Sequence, residues 1–199
     1  PREFSHSLGK SPEMIWTKNR SSVVDWMVWH KDLNGGGAAA APYNLRLNGD
    51  DAQSSNGDIY GGANNVLPTS THWTTGGNNG INESGSKFIA MLFASVDGVS
   101  SVGAYDGSAS NVTVTTGFTP RFIIIKKNNG TSNWSVFDTE RGLGASGDDQ
   151  LIKLNSDAAQ GAANTDYVNT TATGFVVNAG QSGETNGSAS DKYIYYAHA

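Results

Sequence analysis

Pairs of acidic residues come nearest to catalytic chemistry in this chain. Asp138 with Glu140, and Asp148 with Asp149, are close carboxyls of the kind that glycoside hydrolases use as acid and base. The sequence gives no distance within either pair and no sign of the raised pKa that a general acid needs. We therefore expect solvated loop acids, assign no catalytic residue, and predict that the protein is not an enzyme.

Sequence motifs for a nucleotide or metal site are weak as well. Residues 142–147 (GLGASG) have the spacing of a dinucleotide-binding loop, but that loop works where a strand leads into a helix. Here it leads toward another strand, at residues 151–154. The four histidines are scattered singly and cysteine is absent. We predict a flexible loop, no metal site and no cofactor.

Internal similarity divides the chain into two halves. Residues 9–18 (GKSPEMIWTK) match residues 117–126 (GFTPRFIIIK), 108 positions later, and residues 26–30 match residues 134–138 at the same offset. Smaller offsets align 45–48 with 152–155, 71–73 with 173–175, and 87–89 with 192–194. Because insertions concentrate in exposed loops, this pattern indicates two copies of one unit.

The matched blocks have the composition of strands. They are short runs of β-branched and aromatic residues bounded by Gly, Asn, Asp or Pro. Continuous apolar runs at 122–125 and 88–93 predict central strands that are covered on both faces. Asn-Gly pairs predict tight turns, and a helical turn is expected only within 148–160 or 50–55. The pairs begin at residues 34, 48, 56, 79, 129 and 186.

The predicted fold is therefore all-β, with two tandem homologous β-sandwich units of antiparallel, jelly-roll-like type. We place the units at residues 1–97 and 98–199. Residues 102–107 predict a strand whose counterpart in the first half would lie upstream of residue 1. Either that strand belongs to a longer chain or the first unit lacks its first strand. The opening residues PREF have no initiator Met and no signal-peptide pattern, which favours the interior of a longer chain or a processed end.

Aromatic side chains are the candidates for ligand contact, since their rings can stack on sugars. Trp26 and Trp134 recur at matched positions, which indicates core packing. Tyr43 and Tyr60 lie in the unmatched stretch 34–82 and are the better candidates. Trp73 joins them, although its aromatic counterpart in the second half means that core packing explains it too.

Charge argues against two classes of partner. The formal net charge is -5, and lysine and arginine are not clustered, so the chain lacks the basic surface that nucleic acids or anionic membranes require. No apolar run approaches the length of a membrane span. We predict neither a nucleic acid nor a membrane partner.

A family resemblance rests on five motifs of the second half. They lie at residues 117–126, 133–142, 151–155, 173–177 and 192–197. With them the chain resembles the repeated β-domain of uncharacterised function in tail- or fibre-type virion structural proteins of marine bacteriophages, cyanophages included. The first half departs from the pattern at Met14-Ile15-Trp16, at His30, and in a Gly/Ala insertion at 35–41.

The resemblance implies a structural protein of a virion (tail fibre, tail or capsid appendage), located on the virion or extracellularly. Its role would be assembly, attachment to a host-surface glycan, or both. We expect contacts with other virion proteins and self-association as a homo-oligomer such as a trimer. A carbohydrate-binding module or lectin-like adhesin that is not part of a virion is the alternative, and a polysaccharide-cleaving enzyme is the third.

Overall fold

A computed structural model describes residues 1–55, 59–162, 164–181 and 183–199. Strands make up 37% of the chain and helix almost none, so the predicted all-β class is confirmed. The strands of the described residues are β1 (Arg2–Ser5), β2 (Met14–Asn19), β3 (Met27–His30), β4 (Tyr43–Arg46), β5 (Ser54–Ser55), β6 (His72–Thr75), β7 (Phe88–Phe93), β8 (Ser100–Asp106), β9 (Val112–Thr115), β10 (Phe122–Lys127), β11 (Trp134–Asp138), β12 (Ile152–Lys153), β13 (Val168–Thr171), β14 (Gly174–Val177) and β15 (Lys192–His198).

Helical structure is limited to single turns, and none of them was predicted. In the described part of the chain these are one α-helical turn, α1 (Asn79–Asn82), and 3₁₀ turns at Leu33–Gly35, Gly37–Ala40, Gly62–Asn64 and Thr139–Arg141. The Asn78 side chain accepts a hydrogen bond from the Gly80 N–H at 2.7 Å, which caps α1 and turns this Asn-Gly pair into helix. The Asn56-Gly57 turn lies outside the described residues. Over the described residues, no helix has the length and apolarity to cross a membrane.

Two compact units divide the chain, Pro1–Ala94 (unit 1) and Ser95–Ala199 (unit 2). Unit 1 holds a five-stranded sheet in the order β5-β4-β3-β2-β7 and a two-stranded sheet, β1-β6. Unit 2 holds a five-stranded sheet in the order β12-β11-β10-β15-β8 and a three-stranded sheet, β13-β14-β9. All the pairs between these strands are antiparallel.

Strand order and register correspond between the units. The series β4-β3-β2-β7 of unit 1 has the same order as β12-β11-β10-β15 of unit 2. Lys18 lies opposite Ile89 in unit 1, and Lys126 lies opposite Ile194 in unit 2. The pairs β1-β6 and β9-β14 correspond in the same way. Each large sheet has one further strand, at opposite ends of this series: β5 lies beside β4 in unit 1, and β8 lies beside β15 in unit 2.

The core of unit 2 draws on both of its sheets. A buried cluster joins residues of the five-stranded sheet, such as Ile123 and Phe137, to Val114 and Phe175 of the three-stranded sheet. Burial of each such side chain contributes about 1.5–3 kcal/mol relative to exposure. Trp134 is also fully buried, as predicted for a core aromatic.

In unit 1, the Gly/Ala insertion supports the core. The Trp29 indole N–H donates to the Ala40 carbonyl oxygen at 3.1 Å, and both residues are buried. A buried indole N–H needs such a partner, so the insertion satisfies the polar end of this ring. Trp26, which precedes β3, is only half-buried, unlike Trp134.

The prediction that residues 88–93 form a central strand was wrong. The strand exists as β7, but it is the last strand of its sheet, with Ile89 41% and Met91 38% exposed. The other predicted central strand, β10, does have a neighbour on each side. An apolar run predicts that a strand has surface to bury, but it does not say what buries it.

Candidate functional site

The Asp138 side chain contacts Arg141, three residues further along the chain. Its side chain accepts a hydrogen bond from the Arg141 N–H at 3.1 Å and forms an ion pair with the Arg141 guanidinium. These contacts cap the 3₁₀ turn that follows β11. A carboxylate engaged in this way holds a turn, and its geometry gives no support to the catalytic pairing of Asp138 with Glu140, which the sequence did not favour.

Asp149 is a buried clamp on the start of β13. One carboxylate oxygen accepts the N–H groups of Tyr167 and Val168, both at 2.8 Å, while the side chain is 1% exposed. Burial raises the pKa of Asp149 to about 6, although the two backbone hydrogen bonds act in the opposite direction. Its neighbour Asp148 is exposed. The expectation of solvated loop acids was therefore wrong for Asp149, which is buried.

Neither a metal nor a nucleotide site emerges from the described residues. Among them, no three His, Asp or Glu side chains converge closely enough to hold an ion. The glycine-rich segment 142–147 leads to strand β12, so it lacks the helix that a dinucleotide-binding loop requires.

Two of the three predicted ligand-binding residues lie together inside unit 1. Tyr60 is 3% and Trp73 is 6% exposed, and their ring centroids are 6.2 Å apart. The Tyr60 hydroxyl lies 3.0 Å from both the Met27 carbonyl oxygen and Thr17 Oγ1, and burial raises its pKa. Because both rings are almost fully buried, these two side chains support the core here. Their contact with a ligand stays a prediction.

Tyr43, the third predicted residue, is half-buried at the start of β4. It is not among the residues that line a polar cavity of about 380 Å³, which begins with the next residue, Asn44. We call this the Asn44 cavity; its lining residues are Asn44, Leu45, Arg46, Asp51, Ala52 and Ser54. The Arg46 guanidinium lies 3.6 Å from an Asp51 carboxylate oxygen and 3.3 Å from one of Asp25. Charged and amide groups in a shallow cavity are suited to sugar hydroxyls.

Asn44 itself is 1% exposed, and its side-chain oxygen has no hydrogen-bond partner within the described residues. A buried acceptor left without a donor costs about 1–3 kcal/mol, so such an atom marks a place where a ligand hydroxyl or amide would be favourable. Asn44 was not among the residues predicted from the sequence. A signal was present, because the aligned position in the second half is the apolar Leu151.

A second opening, apolar in character, lies between the two sheets of unit 1. It has a volume of about 280 Å³, and we call it the β7 groove. Strands β1 and β6 form one wall, and β2 and β7 form the other. Its lining residues are Phe4, Ser5, Thr17, Trp73, Ile81, Phe88, Ala90 and Leu92.

The backbone beside the β7 groove is open. Lys87 and Phe93 accept hydrogen bonds from the β2 side, each at 2.7 Å. Because backbone groups alternate in direction along an antiparallel strand, the N–H and C=O groups of Phe88, Ala90 and Leu92 point away from β2. Within the described residues, no strand pairs with this edge of β7. Unit 1 therefore presents an apolar groove and a row of unpaired backbone groups side by side.

Residues 2–199 match a protein family described as a domain of unknown function (DUF7483). Among curated proteins and solved structures, nothing matches the chain.

Proposed function

Since the chain belongs to the DUF7483 family, whose function is unknown, we propose from its fold and surfaces that it is a structural protein of a bacteriophage virion. It is a tail fibre, tail or capsid appendage, acts in assembly or host-surface attachment or both, and has no catalytic role. It associates with copies of itself, as a trimer for example, and with other virion proteins. The motif resemblance at residues 117–126 and 133–142 supports the assignment.

The open edge of β7 is the observation that carries this proposal. Soluble proteins protect their sheet edges with charges, prolines or bulges, because an unprotected edge pairs with other chains. The six residues of β7 (FIAMLF) include none of these charges or prolines, and Ile89 and Met91 are exposed. Such an edge suits a protein that is built into an assembly.

Tandem organisation also favours an appendage. We propose that the two units are homologous, jelly-roll-like β-sandwiches, since they share a strand order and matched motifs. Repetition of a unit lengthens a rod and multiplies weak contacts, so that avidity replaces a single tight site.

Electron microscopy of purified virions tests the proposal. Gold-labelled antibody raised against the chain should decorate the tail, fibres or capsid appendages, and antibody preabsorbed with the purified chain should not. Mass spectrometry of the same virions should recover its peptides. Virions that carry neither label nor peptides would show that the proposal is wrong.

A carbohydrate-binding module or lectin-like adhesin outside a virion is the second candidate, and the Asn44 cavity favours it. A glycan array with the whole chain would identify a sugar. Asn44→Leu places the residue of the second half at this position, and it should weaken that binding at least tenfold. Ser55→Ala, an exposed change on the neighbouring strand β5, is the control. Equal binding by the Asn44→Leu variant and the control would exclude the cavity as the sugar site.

A further inference from the structure

Unit 2 shows how the edge that is open in unit 1 can be filled. Strand β15 holds the position in unit 2 that β7 holds in unit 1, since the two pair in the same register with β10 and β2. Phe88, Ala90 and Leu92 thus correspond to three residues of β15 that pair with β8. The β15–β8 pairs are Tyr193 with Tyr105, Tyr195 with Gly103, and Ala197 with Ser101.

Side chains of β8 fill the space that is a groove in unit 1. Tyr105 stacks on Tyr193 with ring centroids 5.0 Å apart and an interplanar angle of 8°. Its hydroxyl donates to the Thr185 carbonyl oxygen at 2.6 Å, and the residue is buried. Phe88, the counterpart of Tyr193, instead lines the β7 groove and is only half-buried. Phe88 therefore lines an open groove, whereas its counterpart Tyr193 is covered by the stacked ring of Tyr105.

Gly103 of β8 leaves room for the ring of Tyr195. A Cβ atom at this position would lie 2.7 Å from the Tyr195 hydroxyl oxygen, so a larger residue would require that ring to shift. In unit 1 the residue that corresponds to Gly103 would lie opposite Ala90, whose side chain is smaller than that of Tyr195 and leaves more room. A strand of small residues ending in an aromatic residue is therefore compatible with the edge of β7.

We propose that β7 receives an added antiparallel strand of the β8 type. Its aromatic residue enters the β7 groove opposite Phe88, and the small residues two and four positions earlier lie opposite Ala90 and Leu92.

 In this register the backbone N–H and C=O groups of Phe88, Ala90 and Leu92 all gain hydrogen-bond partners. The inference rests on the assembly role proposed for this edge, and it names the partner that the edge accepts.

Connectivity in unit 2 shows how such a strand reaches its place. There β8 runs into β9 through residues 107–111, and β9 holds the position that β1 holds in unit 1. A β8-type strand joined to Pro1 by a linker of the same length therefore reaches the edge of β7. The same strand supplied as a separate peptide would have to bind without that tether, and so more weakly.

A graft tests the proposal in the whole chain. Residues 100–110 are copied directly in front of Pro1, which puts each copied residue 110 positions before its original. Amide hydrogen exchange measured by NMR should slow at least tenfold at Phe88, Ala90 and Leu92. The amides of Ile89 and Met91, which face β2, provide the internal reference. A matched graft with Gly103→Pro in the copied segment lacks the central N–H and should lose most of this protection.

A peptide with the sequence of β8 tests the strand without the tether. Two capped versions differ only in the position of one N-methyl group. Methylation at Gly103 blocks an amide that faces the partner strand, and it should weaken binding at least tenfold relative to methylation at Ala104, whose amide faces away. Chemical-shift changes should centre on Phe88–Phe93 and the lining of the β7 groove.

Three results would overturn the inference. The first is unchanged exchange at the β7 amides in the grafted chain, and the second is equal binding of the two methylated peptides. The third is a concentration-dependent dimer of the original chain with protected β7 amides, which would assign the edge to a second copy of β7. Labelled virions combined with a failed graft would leave the proposed function standing and reject only this partner. Protected β7 amides in the grafted chain combined with unlabelled virions would support this partner strand and reject the proposed function.

Discussion

Replacement of Asp149 by asparagine should change how the stability of unit 2 depends on pH. Burial raises the pKa of this carboxyl from 3.8 to about 6 in the folded chain. The folded state therefore binds the proton more tightly than the unfolded state, and stability falls as the pH rises from about 4 through about 6. At about 1.4 kcal/mol per pH unit, the loss is on the order of 3 kcal/mol.

Asp149→Asn removes the charge and keeps an oxygen that can accept the N–H groups of Tyr167 and Val168. The variant should therefore gain up to about 3 kcal/mol relative to the original chain between pH 4 and pH 7. Urea unfolding at several pH values, followed through the NMR amide signals of unit 2, measures this difference. Asp148→Asn, which removes an exposed carboxyl one residue away, is the matched control.

Direct titration provides an independent measurement. The carbon-13 signal of the Asp149 carboxyl should shift with a midpoint near pH 6. A midpoint near 4 would refute the reasoning. The reasoning would also be refuted if the unfolding free energies of the variant and the original chain changed in parallel with pH. Burial would then impose no cost on the ionised carboxylate.

Substitutions in the two cores give further tests by urea unfolding. Trp73→Ala should destabilise unit 1 by about 3–5 kcal/mol, and the half-buried Tyr43→Ala by less than half as much; equal losses would contradict the core role of Trp73. Gly174→Ala should destabilise unit 2 by about 1–3 kcal/mol, because the new methyl group would overlap the Val114 carbonyl oxygen. Gly144→Ala, with no neighbour closer than 3.7 Å, should have a small effect, and a comparable loss there would remove the steric explanation.

Local sequence predicted the strands well because strand composition is a local property. The β-branched and aromatic runs around Ile15 and Ile124 became β2 and β10, and the strand expected at residues 102–107 became part of β8. Turns were predicted less well, because the same Asn-Gly pair suits a hairpin or, with Asn78 as a cap, a helical turn.

Properties that depend on distant neighbours were not predictable from local patterns. Tyr60 is buried and bridges to Thr75 much as Val168 pairs with Val177, and neither its burial nor its bridge was predictable from the residues around it in the sequence. The edge position of β7 depends on the absence of a partner strand within the described residues, which composition does not record. Asn44 is distinctive only because its burial leaves an acceptor without a donor.

The pairing of β8 with β15 limits what the chain can give to an assembly. All seven residues of β8 are paired with β15, so the strand cannot be donated to another molecule while unit 2 stays folded. On this proposal the chain accepts one strand at β7 and does not donate β8. Association through β7 should saturate at one strand per chain and stop, whereas open-ended polymerisation would require unit 2 to release β8.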